Sequence, residues 1–144
     1  MSARHMLWIA VAFVAVALFA GAQDTQKVIK HVPIKRTSAA SGQEMYTTYC
    51  AVCHGKDAKG NGPAAEALKV PPPDLTGLAK KDGGKYPSMR VSSIIRGEDA
   101  LPAHGSKEMP VWGSLFWHMS QGHESEVQQR VANLNEYIEG LQVK

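Results

Sequence analysis

Cys50-Ala51-Val52-Cys53-His54-Gly55, "CAVCHG", decides how the rest of this chain is read. Its two cysteines are the only ones in 144 residues, and a histidine follows the second directly. Three chemistries use a cysteine pair at this spacing. A thiol–disulfide redox pair needs a strand–helix setting in an α/β chain. A structural zinc ion needs four ligands; Cys50, Cys53 and His54 supply three, and adjacent Cys53 and His54 would strain a tetrahedral ion. Covalent haem is the third, and Cys-x-x-Cys-His is its specific pattern. The two thiols add across the vinyl groups on one edge of the ring. His54 lies one helical turn from Cys50, so the ring plane is fixed while the imidazole reaches the iron.

The flanking sequence bears on the choice. Upstream, "SGQEMYTTYC" carries a helix start signal. Ser41 and Glu44 have capping-box spacing, and Gly42, Tyr46, Tyr49 and Cys50 share a face. Gly55 is expected to stop this helix. From Gly55 to Asp74 the chain is loop-rich, with a short helical turn expected around Ala64 to Leu68. Its glycines do not form a phosphate loop, because no Gly-Lys-Ser/Thr follows. A calcium loop beginning at Asp57 would need a bidentate Glu where Leu68 stands. "SMRVSSIIR", Ser88 to Arg96, reads as a short helix capped by Ser88 and ended by Gly97. "VWGSLFWHM" holds another short helical turn. Near the end, Val127, Val131, Leu134, Ile138 and Leu141 form one apolar stripe with Tyr137 beside it. No strand pattern appears. The fold class is all-α, with good first and last helices and short helices among loops. That excludes the thioredoxin-like setting and favours covalent haem.

Composition narrows the partners. The net charge is +3, with Lys and Arg scattered; nucleic-acid attraction needs a basic stripe, and none is visible, so no nucleic-acid partner is expected. At the N-terminus, Arg4 and His5 precede the apolar run "MLWIAVAFVAVALFA", and an Ala-x-Ala-like site ends at Ala22. Residues 1–22 have the layout of a signal peptide cleaved before Gln23. The alternative is an uncleaved membrane anchor, although a spanning helix needs about 20 apolar residues. Either way the domain is exported, which agrees with haem attachment outside the cytoplasm: periplasmic, or membrane-associated through this segment. Residues 23–40 are polar and read as a linker or arm, with the compact domain over 41–144.

"CAVCHG", "PPPDLT", "MPVWG" and "RVANLNEYIEGLQ" together resemble the bacterial class I cytochromes c with a single haem, over about Ser41 to Gln142. The resemblance implies a cytochrome c fold, a helical shell around one haem c in which the first and last helices cross at close range. Gly42 is similar to the small residue at that crossing, with Tyr46 one turn later and Leu134 and Tyr137 facing them. It implies Met109 of "MPVWG" as the axial ligand opposite His54, with Met119 the runner-up and Met45, Met89, His104, His118 and His123 less suited. It also implies that His54 donates its other ring N–H to a backbone carbonyl in "PPPDL", that of Pro73 or, next in line, Pro72. Trp112, Arg90, Arg96 and Tyr86 are candidates to hold the haem propionates. The function implied is one-electron carriage between a donor complex and a terminal oxidase or reductase, with no enzymatic role. The alternatives are a fixed electron-transfer subunit of a membrane respiratory complex and, with an open iron site, a haem peroxidase or gas sensor. Lys56, Lys59, Lys80, Lys81 and Lys85 form a solvated surface or steer a partner.

Overall fold

The computed structural model describes residues 34–98 and 111–143. The apolar segment Met6 to Ala22, the linker up to residue 33, His104 and the expected ligand Met109 lie outside the described residues. Among the described residues the chain is helical with no strand, and no helix is long and apolar enough to cross a membrane. The first helix, α1, runs over 42–54 in three consecutive segments: an α turn Gly42–Met45, a π segment Tyr46–Cys50 and an α turn Ala51–His54. A 3-10 turn follows at Ala65–Ala67. Then come α2 (Leu78–Lys81), α3 (Ser88–Arg96), α4 (Trp112–Met119) and α5 (Glu124–Gly140).

Local chemistry explains the ends. Ser41 Oγ accepts from Glu44 N at 3.1 Å, which makes one half of the expected capping box. The other half differs, because Glu44 Oε2 accepts from Ser38 N at 3.1 Å instead. Ser88 is not a cap either. Pro87 holds that position, and the Ser88 hydroxyl accepts from Asn135 Nδ2 at 3.0 Å. Gly97, with φ 77°, ends α3 in the left-handed region that glycine adopts without strain. Helix α2 was not anticipated; its four residues offer too little periodicity to see.

α1 and α5 cross where Gly42 lies. A Cβ there would collide with the Asn133 carbonyl and with Tyr137 Cβ, so no larger residue fits without separating the helices. The Tyr46 and Tyr137 rings pack 5.3 Å apart beside the contact. Met45, Tyr46, Phe116 and Leu134 are fully buried in the core that α1, α4 and α5 share, each such side chain contributing about 1.5–3 kcal/mol by leaving water.

The α5 stripe is partly polar. Arg130 and Asn135 are buried alongside Val127, Val131, Leu134 and Ile138, whereas Leu141 lies past the helix end. Each buried polar group is satisfied. Arg130 donates from Nη2 to Glu126 at 2.7 Å and from Nη1 to Thr37 O at 3.0 Å, with Nε 3.3 Å from Ser120 Oγ. Asn135 accepts from Tyr86 Oη at 2.6 Å and donates to Ser88 O and Ser92 Oγ, both at 2.8 Å.

These contacts move the domain boundary. The compact unit begins at Ile34, ahead of the expected Ser41. Thr37 is buried, Tyr49 Oη donates to Lys35 O at 2.7 Å, and Asn133 Nδ2 donates to Ala39 O at 2.8 Å. Residues 34–40 were read as linker because they are polar. They stay because helix side chains satisfy their backbone carbonyls.

Candidate functional site

The last carbonyls of a helix need outside partners, and in α1 the glycine-rich loop provides them. Ala51 O accepts from Gly55 N at 3.0 Å, Val52 O from Ala64 N at 2.9 Å, Cys53 O from Gly62 N at 3.0 Å and His54 O from Gly60 N at 2.8 Å. Gly55 O accepts from Ala58 N and, at 2.8 Å, from the buried Tyr46 hydroxyl. The glycines of "GKDAKGNGP" follow from this wrap. Gly55 and Gly60 both have φ 80°, and a Cβ on Gly62 would strike the backbone of Ala51, Val52 and Cys53. The loop therefore holds the cysteine–histidine turn.

On that turn Cys50 and Cys53 are free thiols, both half-buried. Burial, and then the neighbouring Cys53, push the Cys50 thiol up to about 12, and burial also raises Cys53. Dithiol redox catalysis needs the opposite, a lowered thiolate pKa. His54 is buried beside them. Its Nδ1 lies 3.2 Å from Pro73 O. A carbonyl only accepts, so Nδ1 is the donor of this bond. The Pro73 segment is anchored in turn. Pro72 O packs where a Gly60 Cβ would be, Leu75 N donates to Ala58 O at 2.8 Å, and Asp74 Oδ1 accepts from Thr76 N at 2.8 Å and Thr76 Oγ1 at 2.7 Å. Those two hydrogen bonds hold the Asp74 carboxyl below the usual range, with smaller help from Lys81 and Lys59.

The other candidates are dispersed. Trp112 is buried and stacks on Tyr49, next to Cys50, with ring centroids 5.0 Å apart. Tyr86 is turned into the core, its hydroxyl held by Asn135, and burial raises its pKa; a hydroxyl so engaged does not suit the propionate role. Arg90 is exposed on α3, and Arg96 pairs with Glu124 at 3.4 Å. Of the methionines, Met45 is core, Met89 is 86% exposed, and Met119 Sδ lies 3.4 Å from the Tyr49 hydroxyl. The sequence reading missed Arg130, Asn135 and Gln142. The first two stand in register with the apolar stripe, a signal that their polarity masked.

The family model described as "Cytochrome c" matches residues 39–142. The chain belongs to the cytochrome c family. No curated protein and no solved structure gave a match. Cytochrome c membership brings a haem-based electron-transfer role, an all-α fold and haem c as the implied cofactor. The donor set fits that group: two unpaired thiols on one turn of helix, and beside them an imidazole whose proton is fixed on the nitrogen facing Pro73. Among the described residues no cluster of three or more His, Cys, Asp or Glu side chains offers a site for a bare metal ion. In this cytochrome the spacing of Cys50 and Cys53, with His54 following directly, fits covalent haem attachment.

Proposed function

We propose that the chain is a one-electron carrier whose haem c is joined to Cys50 and Cys53 and ligated by His54 and Met109. The observation that carries this is the His54–Pro73 hydrogen bond beside two free thiols. Bound haem supplies a one-electron ferric–ferrous couple, whose potential rises with thioether sulfur as an axial ligand. The protein's part is to hold and tune. The α1 turn carries both sulfurs, Pro73 O steadies the imidazole and makes Nε2 a better donor, and the loop over 55–64 ties down the end of the turn. Trp112, and Arg90 on the surface, remain candidates toward the propionates. Redox protein partners, a donor complex and a terminal oxidase or reductase, belong to the same proposal, as does an exported location with residues 1–22 either removed or kept as an anchor. The exposed lysines at 56, 59, 80, 81 and 85 suit an acidic partner face, and salt would then slow the exchange.

The test is the absorption spectrum of oxidised protein made with haem-maturation machinery, repeated with Met109→Ala. A sulfur-to-ferric-iron charge-transfer band that is present in the parent and absent in the variant is expected. A band that persists moves the ligand to another methionine. A high-spin spectrum in the parent favours a peroxidase or gas sensor, and absence of covalent haem ends the proposal.

A further inference from the structure

We infer that Gln142 is a positioning residue for the His54 imidazole, acting through the segment that carries Pro73. The inference rests on His54 being a haem ligand. The three prolines Pro71 to Pro73 have no N–H to donate, so this segment cannot tie itself down and must be held from its flanks. On the upstream side it is held by packing of Pro72 on Gly60. Downstream, Leu75 N is bonded to Ala58 O at 2.8 Å, and the Gln142 side chain adds the larger set of bonds. Its Nε2 donates to Leu75 O at 2.7 Å and to Ile138 O at 2.9 Å. Its Oε1 accepts from Ala79 N at 2.9 Å, an N–H of the first turn of α2 that has no partner within its own helix. Both carbonyls face the amide nitrogen and the N–H faces the oxygen, so one amide orientation satisfies all three. Val143 N adds a bond to Thr76 O at 2.9 Å. Residues 75–79 are thus fastened to the end of α5, and Pro73 follows through Asp74, which is closed on Thr76.

The bond from His54 to Pro73 is only as well aimed as that carbonyl. Without Gln142, Leu75 O and Ala79 N lose their partner, and the carbonyl is aimed less firmly, held only by the bonds to Ala58 and Thr76 and the packing on Gly60. A weaker N–H···O bond makes the imidazole a poorer donor and favours ferrous iron. A general loss of stability would not by itself have this effect, which is what separates positioning from structure.

The experiment uses the full, haem-loaded chain. Gln142→Met keeps the volume and removes every hydrogen bond of the side chain. Asn133→Ala is the control; it removes one bond from α5, to Ala39 O, away from Pro73. In the reduced protein, exchange of the His54 Nδ1 proton is followed by NMR, alongside the midpoint potential. In Gln142→Met we expect the proton to exchange about fivefold faster, as for loss of one ordinary hydrogen bond, and the potential to shift upward. The control should move neither. Should Gln142→Met fail to fold, Gln142→Glu carries the same expectation for proton exchange, because it keeps the acceptor for Ala79 and lacks the donor for Leu75; its added charge bears separately on the potential. Parental exchange and potential in the Gln142 variants overturns the inference, as does an equal change in Asn133→Ala. A parent chain without covalent haem overturns the proposed function first and this inference with it.

Discussion

Gly42 shows how much one missing side chain governs. Its α-carbon faces the Asn133 carbonyl across the helix crossing, with no room for even a methyl group. Gly42→Val is expected to destabilise the domain by about 1–3 kcal/mol, as overpacking does, and thermal unfolding of the variant measures it. Glu126 makes a prediction in pH. Its hydrogen bond to Arg130 is the main cause of a carboxyl held below its ordinary range. A depressed folded value means that the stabilisation is complete above the ordinary carboxylate value of about 4.3 and is lost as pH falls through the lowered one. Melting temperature followed from neutral to acid pH should therefore fall less steeply in Glu126→Gln than in the parent. Equal slopes would show that the pair does not contribute.

Among the elements, α5 is the one whose interior is least like its pattern. Val127, Val131, Leu134 and Ile138 were legible as a stripe because apolar residues at three- and four-residue steps have one physical cause, a buried face. Arg130 and Asn135 lie on the same face and were not legible, since their burial depends on partners brought from Thr37, Tyr86, Ser88 and Ser92, and one helix's sequence does not reveal another's position. Asn135→Ala tests the reach of that network. It leaves Ser88 and Ser92 without their donor and the buried Tyr86 hydroxyl with only the backbone oxygen of residue 135, 3.3 Å away. The expected cost is about 1–3 kcal/mol, read from denaturant unfolding. The site element, α1, was legible for a different reason. Cys50, Cys53 and His54 lie within one turn, so their spacing in sequence already is their spacing in space. The π segment Tyr46–Cys50 ahead of them gave no sign, because its extra residue per turn changes hydrogen-bond register and not composition.

For the molecule as a whole, the packed segment 34–40 matters most. It ties to α1 through Tyr49 and to α5 through Arg130 and Asn133. A chain beginning at residue 41 should be less stable than one beginning at residue 34 by about 2–4 kcal/mol. It loses these bonds, about 1 kcal/mol each, and leaves Arg130 buried with fewer acceptors. Equal unfolding midpoints for the two would refute this. The polar sequence of the segment hid its role, because composition reports what a residue prefers and not which backbone groups need it.

The Gln142 clamp also has a consequence in time. A chain is synthesised in one direction, and Gln142 emerges long after His54. While the polypeptide is still growing, the cysteines and the histidine are already made, yet the carbonyl that faces the imidazole still lacks its fastening to the end of α5. Whatever acts on the nascent or newly released chain would therefore meet a histidine less firmly held than in the finished protein, whose full hold on the imidazole arrives only when the end of α5 folds back onto residues 75–79.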